Sequence, residues 1–524
     1  MSRGVELVLG LEVHVRLDTG GKLFCGCRLP TDTTKLRPNT AICDTCLGHP
    51  GTMPELRPAA VRYALALAQA LGAHTDDLVV PSRFERKHYF YWDLPKNYQV
   101  TQIDYPFCHR GRVRVEPEEG GESGGFEIDL TRIHLEEDAA RKQEDPHEIR
   151  VDFNRSGSVL AEIVTEPDFR SPEQAAAFLR HLQRTLRWHN LGSALPEHGD
   201  FRCDVNLSVR FEGDPLPDWK VELKNLARLE GLIDATRSEK ARLTQMLRAR
   251  ERGEEVEFVN ETREWVPEER TTRRLRGKET ASQYWYYVEP DLLTVEVSEE
   301  ELEAARQMLR PPLSEAVAAF RRAGFGNEEI HRSILPDPDV AYPLFHAVSR
   351  GVELRPARAL VEVIKGAVDE HRRRREEADH RRPEHWQAHA PAFADFWHRV
   401  RPNLELLVDA LAQSTVGVQH LRELAGTDAL VAREWSSAEE LLEAHDLAAA
   451  AGGDELETAV RELLEQLLAE HPEQRDQWLG EEDPKRAQKL ANFFQGRVMR
   501  QLPKGSDGRT VKEILNRYPS SAAR

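Results

Sequence analysis

Leu11, Val13, Val15 and Leu17 alternate with Glu12, His14 and Arg16, a period of two that predicts a strand with its three polar side chains on one face. A second alternation, Phe126, Ile128 and Leu130, shifts parity near Thr131 as a bulge allows. Beyond that shift Ile133 and Leu135 are expected to point inward and His134 and Glu136 outward, with Glu137 and Asp138 following directly. Asp204, Asn206, Ser208 and Arg210 alternate with Val205, Leu207 and Val209, and Glu222 and Lys224 with Val221 and Leu223. Up to about Val297 such segments, bounded by Gly, Pro and Asp and interspersed with a few helices, predict an α+β domain built on antiparallel strands.

From Glu299 the apolar spacing changes to three and four, as in Ser298 to Gln307 and Pro356 to Val368, which predicts an almost wholly helical remainder. The pattern breaks near Asp369 into His371, Arg372 to Arg375 and a charged run ending at Pro383, read as an exposed hinge or a solvated helix end. A further helical unit begins near Phe393. In it Leu490, Phe494 and Val498 share one stripe, and Thr510 with Glu513 suggests a capping box before a last short helix. The expected domains are thus a cradle over 1–297, a helical domain with its hinge over 298–392 and an all-α tail over 393–524.

Composition narrows the function. Charged residues make up 31% of the 524 positions, and every short apolar run before Leu17 is interrupted. No membrane protein and no leader peptide is expected, and the predicted location is the cytoplasm. A net charge of -18 argues against general nucleic-acid binding, yet Lys485 to Arg524 holds ten basic residues against two acidic ones. That basic tail suits either one localised polyanion contact or an ordinary solvated helix face.

Four of the six cysteines lie close together, Cys25 and Cys27, then Cys43 and Cys46 after a 15-residue spacer. Four thiolates from two short turns satisfy tetrahedral Zn²⁺ and leave no position for substrate, so a structural zinc knuckle is expected in preference to four free thiols. Cys108 and Cys203 read as packed thiols. The strands carrying Glu12, His14, His134, Glu136, Asp204 and Glu222 group carboxylates that repel one another unless a cation or substrate intervenes. Mg²⁺ holding a nucleotide phosphate suits such a face. The histidines leave a transition metal open, but the excess of carboxylates favours the hard ion. Arg86 to Gln99 interleaves cations with aromatics, as stacking on a base requires, although core packing explains half of these rings equally well.

Eight segments in order, Gly10 to His14, Arg86 to Tyr91, Asp93 to Gln99, His134 to Asp138, Val151 to Gly157, Glu162 to Asp168, Arg202 to Asn206 and Glu222 to Asn225, resemble the B-subunit (GatB) family of aspartyl/glutamyl-tRNA amidotransferases, with a weaker likeness to a YqeY-type tail. The resemblance implies a heterotrimer in which an amidase, the A subunit, and a small C subunit are the partners. ATP would phosphorylate the side-chain carboxylate of Asp-tRNA(Asn) or Glu-tRNA(Gln), and ammonia from the amidase would then displace phosphate. By motif match it assigns Mg²⁺ and ATP to Glu12, His14, Glu136 and Glu137, further acids to Asp204 and Glu222, and a phosphate or carboxylate contact to Lys87. Trp285 and Val288 stand where the family usually has arginine and proline, and the arginine-rich stretch looks like an addition. A tRNA-binding module without catalysis and a ligase acting on another carboxylate are the rival readings.

Overall fold

A computed structural model of the chain describes residues 3–29, 33, 36–73, 78, 81–115, 125–145, 147–224, 226, 228–275, 284–381, 392–413, 415–445, 447, 453–479, 484–502 and 508–522. They form two compact units that divide between Leu313 and Ser314.

The first unit has thirteen strands among the described residues: β1 Val5–Arg16, β2 Glu85–His88, β3 Tyr98–Thr101, β4 Gly111–Val115, β5 Phe126–Glu137, β6 Arg141–Glu144, β7 Ile149–Asp152, β8 Val159–Thr165, β9 Phe201–Phe211, β10 Val221–Lys224, β11 Glu261–Val266, β12 Thr271–Arg274 and β13 Trp285–Val288. Eight of them make one sheet in the order β12-β11-β10-β9-β1-β8-β5-β4. Its described neighbours pair antiparallel except β10 and β11, which run parallel. The exception has a cause, because Leu229–Glu251 (α3) links these two strands and a parallel pair needs such a crossover. The expected bulge exists, the β5–β8 register shifting between Leu130 and Arg132.

One face of this sheet is the core. Leu11, Val13, Val15, Ile133, Leu135, Ile163, Val205, Leu207 and Val209 are all buried there, with apolar residues of Pro58–Ala70 (α1), Pro172–Trp188 (α2) and α3 in the same cluster. Ser171 caps α2 by accepting from Gln174 N, and Pro172 occupies its first turn, where a missing N–H costs nothing. The fourth helix of the unit, Glu299–Gln307 (α4), begins in a complete capping box at Ser298 and packs on α1. The other face of the sheet is polar, but it is not the solvent face that simple alternation predicts. His134 is 0% and Glu136 3% exposed, because a small sheet in the order β13-β2-β3 lies beside β5 and carries Lys87 and Tyr89 among the acids.

Among the described residues of the second unit every regular element is helical. The helix Leu354–Arg381 runs through Asp369 and the arginines, so no hinge lies there and the stretch is the charged C-terminal part of a helix, the other of the two expected readings. Charge pairing stands in place of a hinge. Arg372 bonds Asp337 and Asp339, Arg373 bonds Glu370, and Arg374 bonds Glu370 and Asp428. Toward the C-terminus Val460, Leu464, Trp478, Phe494, Val498, Val511 and Leu515 share a core, with Leu490 packed against it, as the stripe predicts. The last helix starts at Gly508, so Thr510 lies in its first turn and is not its cap. The side chains of 503–510, Arg375 and the residues on to Phe393 lie outside the described residues. Among the described residues no helix is long and apolar enough to cross a membrane.

Candidate functional site

Strand register assembles the polar face. His14 of β1 lies opposite Glu162 of β8, which lies opposite His134 of β5, so the three form a row across the sheet. Glu162 Oε2 is 3.2 Å from His14 Nε2 and 3.4 Å from His134 Nε2. Glu136 Oε1 reaches back to His14 Nε2 at 3.3 Å, and its Oε2 accepts from Thr101 Oγ1 at 3.4 Å. In the next row Glu12 lies opposite Asp204 of β9. Lys224 Nζ closes the array from β10, bonding Asp204 and Glu222 at 2.9 Å each, while Thr262 donates to the other oxygen of Glu222 at 2.8 Å.

Two sets here bring ligand atoms within 4.8 Å of one another, Glu12 with His14 and Glu162, and His134 with Glu136 and Glu162. Their electrostatics are divided. Burial, reinforced by the charges of Glu162, Asp204 and Glu222, pushes the Glu12 carboxyl above its ordinary range. Burial opposes charge on His14, yet the carboxylates of Glu136 and Glu162 outweigh it and hold the imidazole well above its usual value. Burial is also overcome at Glu162 and Glu136, where the facing imidazoles hold the carboxyls low. His134 is fully buried; its Nε2 faces Glu162 at 3.4 Å without a well-formed hydrogen bond, and its Nδ1 has no hydrogen-bond partner among the described residues.

Lys87 stands above this floor. Burial resists its charge, but Glu136, Tyr286, Glu162 and Glu12 together raise its pKa, and its Nζ lies 5.6 Å and 5.2 Å from the ring centroids of Tyr89 and Tyr284. It makes no ion pair within 4 Å among the described residues, so its ammonium remains available to an anion. Glu137 does not join the cluster. Its parity on β5 is opposite to that of Glu136, and it bonds Lys96 Nζ at 2.6 Å and Val100 N at 2.9 Å, beside a separate cavity of about 230 Å³.

The four cysteines form a second cluster, with all four Sγ atoms within 4.8 Å of one another. Cys43 and Cys46 Sγ are 3.9 Å apart, close to the edge of about 3.8 Å that a tetrahedron with 2.3 Å metal–sulfur bonds requires. Hydrogen bonds from Cys25 and Cys27 and the nearby Lys22 charge hold the Cys46 thiol well below its ordinary range, while hydrogen bonding to Cys46 and burial push the Cys25 thiol up to about 12. Lys22 is 1% exposed and donates to Cys46 Sγ at 3.3 Å and to Phe153 O at 3.2 Å. The Val151 to Gly157 segment secures the loop, since Asn154 Oδ1 accepts from Thr40 N and Ala41 N at 2.7 Å. A metal ion fits this donor set.

Glu162 and His134 stand at the centre of the site, yet motif matching gave them no role. Their signal was in the sequence, for Glu162 is the one charge inside the otherwise apolar Val159 to Val164, and His134 follows the bulge by a few residues. Trp285, 80% exposed, and Val288 lie on β13, paired with His88 and Glu85 of β2.

The face thus gathers carboxylates and imidazoles whose ligand atoms could hold a metal ion, with the ammonium of Lys87 close above them. The family model described as "GatB/GatE catalytic domain" matches residues 7–303, more than half of the chain, and the chain belongs to that family. Proteins named as the B subunit of aspartyl/glutamyl-tRNA(Asn/Gln) amidotransferase are similar to it. The one from Gloeobacter violaceus is 38% identical over 377 residues, 70% of this chain and 65% of the relative. That of Campylobacter hominis is 41% identical over 308 residues, 59% of this chain and 62% of the relative. The Thermus thermophilus protein is 40% identical over 324 residues, 62% of this chain and 65% of the relative. The chain thus spans slightly less than two thirds of the length of these relatives.

Proposed function

We propose that the chain acts as the B subunit of a tRNA-dependent amidotransferase, an ATP-dependent carbon–nitrogen ligase. The observation that carries this reading is the row His14–Glu162–His134 with Glu12, Glu136 and Lys87 around it, in a chain of the GatB/GatE catalytic-domain family. In the reaction the side-chain carboxylate of Asp-tRNA(Asn) or Glu-tRNA(Gln) attacks the γ-phosphorus of ATP and ADP departs, leaving an acyl phosphate. Ammonia from the partner glutaminase then attacks the acyl carbon and expels phosphate, leaving the amide and shedding a proton. Phosphoryl transfer is chiefly positioning and charge neutralisation. Lys87 would meet the γ-phosphoryl or the carboxylate, and Lys224 would fix Asp204 and Glu222.

Glu12, His14, Glu136 and Glu162, with His134, would hold Mg²⁺, which when bound neutralises phosphate charge. The fit rests on the carboxyl of Glu12, raised by burial and its acidic neighbours, and on the buried nitrogens of His134, which lack a well-formed hydrogen bond. Glu137, bonded to Lys96 and Val100 N, stands outside this set. Cys25, Cys27, Cys43 and Cys46 would hold a structural Zn²⁺. The reading includes the partition 1–297, 298–392 and 393–524, a small C subunit, tRNA contact through the basic tail, and a cytoplasmic setting. Reconstitution with the glutaminase and the small partner tests it. Mg²⁺-dependent ATP hydrolysis stimulated by Asp-tRNA(Asn) or Glu-tRNA(Gln), with amide formed, is expected. Charged tRNA bound by a folded complex that hydrolyses no ATP would make the chain a binding module instead.

A further inference from the structure

Lys87 sits on the middle strand of the three-stranded sheet, and each strand of that sheet is four residues long. Ladders that short are marginal without outside support. The two edges receive it in different ways. On the β3 side residues of β5 supply it. Glu137 accepts from Val100 N at 2.9 Å through its side chain and from Gln99 Nε2 at 2.9 Å through its carbonyl, and Glu136 accepts from Thr101 Oγ1 at 3.4 Å.

On the β13 side the tie is an ion pair between residues 203 positions apart. Glu289, the residue after β13, is 1% exposed, and its N–H donates to Phe84 O at 2.8 Å. Its Oε2 accepts from Arg86 Nε and its Oε1 from Arg86 Nη2, each at 2.7 Å, and Oε1 accepts also from Asp291 N at 3.1 Å. Two parallel charge-assisted bonds fix direction as well as distance. The Arg86 guanidinium carbon lies 4.5 Å from the ring centroid of Tyr98 and 5.7 Å from that of Tyr287, so rings as well as the carboxylate hold it.

Arg86 and Lys87 are neighbours on β2, and successive side chains of a strand leave by opposite faces. The register sets Arg86 opposite Tyr287 and Val100, and Lys87 opposite Tyr286 and Gln99. Fixing the guanidinium on the outer face therefore fixes the direction in which Lys87 leaves the inner face, toward Glu136, Glu162 and Glu12. Inside the cradle its ammonium has rings beside it and no ion pair within 4 Å among the described residues. A long flexible side chain in that state is aimed by its backbone.

We propose that the Arg86–Glu289 pair positions Lys87 for phosphoryl transfer. The proposal rests on the cradle reading and adds how the ammonium is aimed. A buried ion pair adds little net stability over a well-packed apolar pair, whereas misplacing a reacting group by about 1 Å costs about a hundredfold in rate. Geometry is thus the larger thing the pair supplies.

A double-mutant cycle in the reconstituted complex tests it, read as ATP hydrolysis dependent on Asp-tRNA(Asn) or Glu-tRNA(Gln) per folded chain. Glu289→Gln keeps the shape of the side chain and removes its charge. It is expected to lower kcat about tenfold and to leave KM for ATP within about twofold. In a Lys87→Met background, itself far slower than wild type, the same substitution is expected to cause no further loss, because its effect passes through the ammonium. Arg86→Lys keeps the charge and loses the fork, so it should lower kcat about threefold, and it carries the same cycle if Glu289→Gln does not fold. Equal losses with and without Lys87 overturn the positioning role and leave the pair a support of the fold in general. An unchanged kcat in Glu289→Gln overturns it too. Either result spares the cradle reading when Lys87→Met is slow. Wild-type turnover in Lys87→Met overturns both.

Discussion

The cysteine knuckle and the acid cradle both concentrate groups that repel one another, but they are finished to different degrees. In the knuckle the thiol loops are tied down by hydrogen bonds, partly from the distant 151–157 segment. Cys46 receives Lys22, Phe153 O receives the same ammonium, and Asn154 ties down Thr40 and Ala41. In the cradle the floor is assembled from strands far apart in sequence, one buried imidazole lacks a well-formed hydrogen bond and one carboxyl is held above its range. A cluster whose needs are met within the chain serves stability. One that keeps unmet needs while the surrounding fold holds it rigid is ready for a ligand that comes and goes.

The largest effect expected from this contrast is at Glu162. Glu162→Gln keeps the size of the side chain but removes the charge shared by His14 and His134, so charged-tRNA-dependent ATP hydrolysis should fall by about a thousandfold, ~4 kcal/mol of barrier. Glu12→Gln should behave alike, and its melting temperature should hold or rise because a carboxylate repelled by its neighbours is gone. A rate within about threefold of wild type for either variant, ~0.7 kcal/mol, would remove that residue from the site.

At the knuckle the balance should invert. Cys43→Ser is expected to release one equivalent of metal and to cost about 3 kcal/mol of stability, while the fraction that stays folded retains its turnover. Metal analysis together with thermal denaturation decides it. Protein prepared without chelator that carries no zinc would sink the structural role.

The sequence was most legible where one strand or one turn holds the whole signal. The alternation around Glu12 and His14, the bulge after Leu130 and the pairing of cysteines within each turn all depend on neighbours a few residues away. What stayed hidden depended on pairing at a distance. Glu162 and His134 gain meaning only through β8 lying between β1 and β5, and the burial of the polar face depends on β2 and β13, some 200 residues apart in the chain. Parity alone separates Glu136 from Glu137, and a bulge made that parity difficult to carry forward from Phe126. The family likeness suggested the proposed activity, but it could not say that the helix 354–381 continues through the arginines.

A third buried group calibrates what burial without a carboxylate does. His189 is pushed down to about 4 by burial and by the charge of Arg310, and its Nδ1 has no hydrogen-bond partner among the described residues. It is a base whose folded pKa is depressed, so the unfolded chain takes up the proton first as pH falls. Its stability contribution is therefore complete above pH 6.5 and is lost between about 6.5 and 4, on the order of 3 kcal/mol across that window. His189→Gln should flatten this part of the curve in chemical denaturation series. Parallel curves for the two proteins would mean that His189 is not held neutral in the fold.

The smallest expected effect probes the comparison at its most local point, Lys22. A buried ammonium is costly unless its charge is answered, and here the partner is the Cys46 sulfur, with Phe153 O taking a second hydrogen bond. Four thiolates around a divalent ion carry two net negative charges, so Lys22 would lessen the excess from inside the fold. Lys22→Met keeps most of the aliphatic packing and removes the charge and the donors. Competition with a chromophoric chelator should then show metal held about tenfold more weakly, ~1.4 kcal/mol, with a melting temperature lowered to match. ATP hydrolysis by metal-loaded protein should not change, because Lys22 lies outside the row of His14, Glu162 and His134. Unchanged metal retention would mean that the thiol cluster carries no excess charge for Lys22 to answer, and the knuckle would lose its standing as the completed member of the pair. Lost turnover in protein still holding its zinc would break the comparison from the other side, since the knuckle would then be acting on the chemistry of the cradle.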